Sequence, residues 1–322
     1  MSKKYPLIFT PGQIGTLKLK NRLIMSLYPT KYIKNNEVTD RLIAFYEARA
    51  KGGVAMIVTD GACLNYPDAL KGSIQLRMDT DKYVAGLRRM IKSVTYYGAR
   101  AFMQLDYPGF KRVAPDTPGA KERHRQWVMP ILNSATADEL RFYISKIAAG
   151  AGRAQEIGYD GVELQADYGA FIAQTLSSLH NKRTDEFGGS LKNRARFLLS
   201  TITEIKERTG LDYPLEIKFS ADEMESGGFN LEEAKNVAVW AEEVGADALM
   251  VNTGSKKMKR YLLPTHSIAP GVNRQYAAEL RQVVDIPIIA LGKINGPELA
   301  EEILIDEQAD FIAMTRSLIA DP

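Results

Sequence analysis

One unit recurs along the chain: an amphipathic stretch, then a glycine or aspartate, then a short apolar run. Gly52-Gly53 precedes Val54-Ala-Met-Ile-Val-Thr59, and Gly98 precedes Arg100-Ala-Phe-Met-Gln-Leu105. Gly158-Tyr-Asp-Gly precedes Val162-Glu-Leu-Gln165, and Gly245-Ala-Asp precedes Ala248-Leu-Met-Val251. Asp285-Ile-Pro precedes Ile288-Ile-Ala-Leu291, and Gln308-Ala-Asp precedes Phe311-Ile-Ala-Met314. Each glycine suits the left-handed residue that ends a helix. Each apolar run suits a strand covered on both faces, as parallel sheets require. Adding Arg22–Ser26 and Leu215–Ser220, the pattern predicts eight strands. Between them it predicts seven helices, at roughly 39–51, 80–97, 136–157, 190–209, 230–244, 273–284 and 296–306. Start signals support several of them: Thr39-Asp40 before an apolar turn, Thr136 three residues before Glu139, and Asn230 three before Glu233.

Eight alternating strand–helix units over about 300 residues point to an α/β fold, a (β/α)8 TIM barrel. An open doubly wound sheet would carry a glycine-rich loop after its first strand. Leu27-Tyr28-Pro29-Thr30 stands there instead. After the eighth strand only Arg316-Ser-Leu-Ile-Ala-Asp-Pro322 remains, so the barrel lacks its complete last helix. The expectation is a truncated chain with an uncovered apolar flank. The longest excursions are Asp106–Ala135, Ala166–Gly189 and Asn252–Gly271. They follow strand C-termini, where barrels build their active sites.

Composition narrows the class without naming the chemistry. The 322 residues are 45% hydrophobic and 25% charged, which excludes a disordered chain. A net charge of +3 argues against nucleic acid as a partner. No apolar run reaches the roughly 18 residues that span a bilayer, and the N-terminus lacks a signal-peptide core. The expectation is a cytoplasmic enzyme with no membrane partner. Cys63 is the one cysteine, and His124, His180 and His266 are scattered, so no metal site is expected.

Polar residues that core packing does not need stand at the strand ends: Gln104, Glu163, Gln165, Lys218, Asn252 and Arg316. Gln104 offers a donor and an acceptor, which suits the edge of a heterocycle. Lys218 lies in an apolar strand, where an unpaired charge is costly. Its partner is a carboxylate such as Glu163 or Glu216, or a bound ligand. Gly292-Lys293-Ile294 and Thr315-Arg316 form a phosphate-site candidate, since barrels bind phosphate after their last two strands. Surface cations near the chain end are the plainer alternative. The run Lys256, Lys257, Lys259 and Arg260 is either a solvated face or a lure for an anionic substrate. Tyr107, Phe110, Tyr168 and Tyr261 are stacking surfaces or core residues.

The chain resembles the flavin barrel of the old yellow enzyme family, in its 2,4-dienoyl-CoA reductase and bile-acid-enoate reductase branch, over residues 5–322. The motifs are Leu7-Phe9-Pro11 with Gly15, Leu19-Lys-Asn-Arg22, Gln104-Leu105, and Gly158-Tyr-Asp-Gly-Val-Glu163. They continue with Asn181-Lys-Arg-Thr-Asp-Glu-Phe-Gly-Gly-Ser-Leu-Lys-Asn-Arg-Ala-Arg-Phe197, Ser220-Ala-Asp-Glu223 and the C-terminal Arg316–Pro322. The resemblance implies an FMN-binding TIM barrel over residues 1–322. Ser26, Leu27, Tyr28 and Gly61 would line the flavin, and Gln104 would meet its pyrimidine edge. Lys218 would replace the family's usual Arg beside the ring, keeping the charge and losing the fork. Gly292, Lys293, Thr315 and Arg316 would hold the phosphate.

The family's His-Gly-x-His/Asn-Gly-Tyr after the fourth strand reads Gln165-Ala-Asp-Tyr-Gly-Ala170 here. The family's proton-donating Tyr is thereby Ala170, which leaves Gln165, Asp167 and Tyr168 as the catalytic candidates. Tyr107, Lys257 and Arg260 are the substrate candidates. The resemblance implies an FMN-dependent ene-reductase using NAD(P)H, whose reduced flavin passes hydride to an activated C=C bond. The expected substrate is a large conjugated anion: a steroid or bile-acid enoate, an enoyl-CoA, or a bile pigment. The alternatives are a flavin-dependent amine dehydrogenase or demethylase, with Tyr28, Tyr107 and Tyr168 as a cage, and a non-catalytic flavin-binding barrel. The family's iron–sulfur and FAD/NAD(P)H domains would follow beyond Pro322. Their absence fits a truncated chain or a naturally short form, and 4Fe-4S and FAD enter only if that region is native. A homo-oligomer is compatible with the sequence.

Overall fold

The computed structural model describes residues 4–66, 74–107 and 131–322. Its centre is a closed eight-stranded parallel barrel. A short antiparallel hairpin, β1 (Gly12–Ile14) and β2 (Leu17–Leu19), precedes it. The barrel strands are β3 (Leu23–Met25), β4 (Met56–Thr59), β7 (Arg100–Leu105) and β8 (Gly161–Ala166), then β9 (Leu215–Ser220), β10 (Ala248–Asn252), β11 (Ile288–Ala290) and β12 (Phe311–Met314). A two-residue pair, β5 (Ala62–Cys63) with β6 (Leu76–Arg77), lies outside the barrel. β12 closes onto β3 through Ala313↔Ile24 and Met314↔Met25.

The predicted helices are present: α1 (Asp40–Gly52), α2 (Val84–Thr95), α3 (Ala137–Ile157), α5 (Leu191–Thr209), α6 (Leu231–Glu243), α8 (Arg274–Arg281) and α9 (Pro297–Ile305). Three short helices were not foreseen: α4 (Phe171–Leu176), α7 (Lys259–Leu262) and α10 (Arg316–Ala320). Local chemistry explains the starts. Thr136 and Glu139 form a reciprocal capping box on α3, and Asn230 accepts from the Glu233 N–H on α6. Gly158 ends α3 at φ 109°, a conformation that a side chain would strain. The motif from Asn181 to Phe197 is an internal clip. Asn181 donates to the carbonyls of Thr175 and Phe187, and the buried Arg194 donates to Leu176 and Gly189 carbonyls and to Glu233.

The hairpin closes the end of the barrel where the strands begin. Ile14 and Leu19 pack with the interior residues Phe102, Met250 and Phe311. Thr16 donates to the Asp212 carbonyl, and Arg22 donates to that of Asp310, both just ahead of strands. The expectation of an uncovered apolar flank is not met. Met25 and Ile312, which face outward on β3 and β12, are fully buried in one cluster with Ile8, Leu318 and Ile319. Glu301 of α9 pins the N-terminal segment by accepting from Leu7 N (2.8 Å) and Ile8 N (3.0 Å). Arg49 of α1 ties down the other end through the carbonyls of Leu318 and Ile319.

Inward-facing positions divide the interior in two. β3, β4, β11 and β12 contribute Ile24, Met56, Val58, Ile289, Phe311 and Ala313. β7 to β10 carry Gln104, Glu163, Gln165, Glu216, Lys218 and Asn252, interleaved with Phe102, Ala248 and Met250. Gly161 is required beside Phe102, because a Cβ there would fall 2.4 Å from the ring. Gly161→Ala should therefore overpack the interior and destabilise the fold by about 1–3 kcal/mol, read as a lowered urea midpoint. An unchanged midpoint would show that Phe102 can move aside.

Candidate active site

A cavity of about 410 Å³ opens at the end of the barrel where the strands finish, within the size range of small-molecule and cofactor sites. Its wall takes Ser26, Leu27 and Tyr28 from the segment after β3, with Gln104, Gln165, Lys218 and Asn252 from the polar half of the interior. Asp167 and Tyr168 follow β8, and Gly292, Lys293, Thr315 and Arg316 follow β11 and β12. The segment after β3 is anchored by Asp60, whose carboxylate accepts from Thr30 N, Thr30 Oγ1 and the Tyr46 hydroxyl. Burial raises the Asp60 carboxyl above its ordinary range against those bonds.

The charged core of the site centres on Lys218. Its ammonium donates to Ser26 Oγ at 3.2 Å and stands 4.0 Å from Asp167 Oδ2. Burial alone would lower its pKa, yet Asp167, Glu163 and Glu216 together outweigh burial and raise it. Lys218 is therefore a fixed positive charge at the cavity floor, and its partners are internal carboxylates. Asp167 accepts from Asn252 Nδ2 at 2.8 Å and from Gln165 Nε2 at 3.4 Å. Asn252 is itself held by Asn273 and by Thr253 N, and Thr253 Oγ1 donates to Asn273. Asn273 went unnoticed in the sequence, because its partners lie about twenty positions upstream in a different loop. Tyr168 is 38% exposed at the mouth and adopts φ 55°, uncommon for a bulky residue. That backbone turn leaves the side chain on the cavity wall.

Four of the expected site residues are elsewhere. Gly61 is not on the wall. It backs the strand that carries Gln104, where a Cβ would sit 3.0 Å from the Gln104 carbonyl oxygen. Tyr107 is a core residue, buried and stacked on Tyr143 with ring centroids 4.6 Å apart. Lys257 pairs with Glu225 at 3.2 Å, and Arg260 lies over the Tyr261 ring. The loop that carries these cations instead gives the wall its apolar tail, Leu262, Leu263 and Pro264. Phe110 lies outside the described residues. Lys293 lines the cavity, but its ammonium is gathered by the carbonyls of Thr265, His266 and Ile268. It clamps that loop, and what it offers a ligand is backbone. Among the described residues, Arg316 donates one guanidinium bond, to the Pro264 carbonyl at 2.9 Å.

The donor set fits FMN. Leu27, Tyr28, Leu291 and Met314 give apolar walls for a flat ring, and Gln104 and Lys218 give a polar floor for its heteroatoms. Arg316 and the backbone at Gly292 lie at the side suited to a phosphate. Gly292 must lack a side chain, since a Cβ there would meet the Asn273 amide at 2.7 Å at φ 129°. Among the described residues no three His, Cys, Asp or Glu side chains are grouped to hold a metal ion, and no helix is long and apolar enough to cross a membrane.

Known proteins resemble this chain in sequence and in fold. An NADH oxidase of Thermoanaerobacter brockii is 38% identical over 332 residues, covering 99% of this chain and 50% of its own length. A cinnamate reductase of Clostridium sporogenes is 31% identical over 348 residues, covering 100% of this chain and 52% of its own length. This chain thus spans about half the length of those relatives. A solved 2-naphthoyl-CoA reductase in complex with 2-naphthoyl-CoA superposes with a TM-score of 0.86 at 26% identity, over 99% of this chain and 51% of that one. With residues 7–322 matching its family model, the chain belongs to the NADH:flavin oxidoreductase / NADH oxidase family, the old yellow enzyme family.

Proposed function

We propose that this barrel binds FMN, takes electrons from NAD(P)H and reduces an activated C=C bond. The observation that carries the reading is the convergence of Gln165, Asp167 and Tyr168 on the same wall as Gln104 and Lys218. When bound, FMN supplies the hydride. The chain's own groups do the remaining work. Lys218 stabilises negative charge gathered on the reduced ring at the cavity floor. Gln165 polarises a carbonyl conjugated to the double bond through its amide N–H. Tyr168, a partly exposed phenol beside Gln165 and Asp167 on the wall, delivers the proton to the adjacent carbon. Asp167 accepts from Asn252 and faces Lys218, which suits an acceptor that steadies the cation more than a proton donor. The similarity to a cinnamate reductase and a naphthoyl-CoA reductase favours a conjugated carboxylate or thioester as substrate. With Lys257 and Arg260 off the wall and Arg316 on the phosphate side, the anion's attraction rests on the electrostatics of the mouth.

Amine oxidation fits less well, since Tyr107 is missing from the proposed cage. The deciding experiment is a visible spectrum of purified protein, followed by anaerobic addition of candidates to dithionite-reduced enzyme. Flavin bands should bleach on reduction and return with a dienoate, a cinnamate or an enoyl thioester. Bleaching of the oxidised enzyme by a tertiary amine would favour the amine reading. A colourless protein that FMN cannot reconstitute would overturn both.

A further inference from the structure

Glu163 and Glu216 are register partners on β8 and β9, side by side inside the barrel and fully buried. Gln104 Nε2 donates to Glu163 Oε1 at 2.6 Å. Glu163 Oε2 and both oxygens of Glu216 have no donor among the described residues. The two carboxyls are within hydrogen-bonding reach of each other. The charged groups facing them are Lys218, on the same strand as Glu216, and Asp167, beyond the end of β8. The packed neighbours Phe102, Ala248 and Met250 are apolar. Lys218 and Asp167 offset one another, so two adjacent, dry and unsolvated carboxylates would be left uncompensated.

We propose that Glu163 and Glu216 hold one proton between them and, as a unit, fix the Gln104 amide with its carbonyl toward the cavity. Glu216 donates its O–H to Glu163 Oε2, while the ionised Glu163 receives Gln104 on its other oxygen. Burial pushes both carboxyls up, and the Gln104 N–H held by Glu163 favours the ionised form there, which leaves the proton on Glu216. The Gln104 part rests on the flavin reading above; the shared proton does not.

The sign of the pH dependence follows. An unfolded glutamate ionises near pH 4.3, whereas the pair keeps its proton in the fold. This contribution to stability is full below that pH and is lost as pH rises toward the folded pKa. From this source the unfolding constant climbs about tenfold per pH unit above roughly pH 5. Urea titrations of the apo-protein at several pH values should show a plot of log K against pH that is shallower by about one in Glu216→Gln than in wild type. Asp60 and Asp247, also raised by burial, contribute equally to both proteins. Glu216→Leu, neutral and of similar volume, repeats the test should the amide disturb packing. Equal slopes in wild type and variants would overturn the shared proton. So would the absence, at pH 8, of a neutral carboxylic acid C=O stretch in the infrared spectrum of the wild type. For Gln104, wild type should bind FMN about tenfold more tightly than FMN methylated at ring N3, the loss of one hydrogen bond. Glu163→Gln should narrow that gap. An unchanged gap would overturn the positioning role. Failure of the wild type to bind FMN would remove the flavin reading, while the slope would still decide the shared proton.

Discussion

Lys218→Met should cost the fold about 3–5 kcal/mol, the scale for stripping one partner from a buried charge cluster. The methionine fills the same volume, so the loss is electrostatic. Asp167 would lose the ammonium 4.0 Å away, and the ionised Glu163 a nearby cation. Acid should soften the defect, because protonating Glu163, whose carboxyl burial already raises, removes the charge that Lys218 now offsets. The apo-protein's urea midpoint at pH 5 and pH 8 measures this, and the deficit should be larger at pH 8. Lys218→Arg should retain the charge. A midpoint for Lys218→Met within error of wild type at both pH values would show that the carboxyls are not held by this cation.

On the proposed reaction, Tyr168→Phe should lower the rate at which reduced enzyme passes electrons to a C=C substrate by about 10²–10⁴-fold, the range for losing a positioned general acid. Reduction of the flavin by NAD(P)H should be unaffected, since it needs no proton from this side chain. Phenylalanine keeps the ring and the demand for φ 55°, so only the hydroxyl changes. Stopped-flow traces of the two half-reactions separate the outcomes. Equal slowing of both would reassign Tyr168 to shaping the mouth and leave the proton to another group.

The regular part of this fold was legible because each strand is a run buried on both faces and each helix carries its own cap. Arg100–Leu105, Leu215–Ser220 and Phe311–Met314 stand where the apolar runs placed them. The hairpin at Gly12–Leu19 was not legible, since three-residue strands hold too few alternations to register a period. The polar strand-end residues Gln104, Gln165 and Lys218 were legible for the opposite reason: nothing in a packed core calls for them. The errors came from side chains whose partners are distant in sequence. Tyr107 looked like a mouth residue until Tyr143, on α3, supplied its stacking partner. Lys257 looked like a lure for anions until Glu225 claimed it. Lys293 sits where a phosphate-binding lysine would, yet three carbonyls of another loop occupy its ammonium. Such pairings depend on how loops meet over the barrel, which a single sequence does not encode locally.

The division of the barrel interior into a hydrocarbon half and a charged half has a consequence for how such a protein can change. Any ring seated on top has one rim above Ile24, Val58 and Ala313 and the other above Gln104, Glu163 and Lys218. The electric field across it is therefore set almost wholly by β7, β8 and β9. Substitutions there can shift a midpoint potential up or down while β3, β4, β11 and β12 continue to hold the scaffold together. Redox tuning is thus confined to one arc of the cylinder, and because that arc also holds the buried charges around Lys218, a change there has to keep the charge balance to keep the fold.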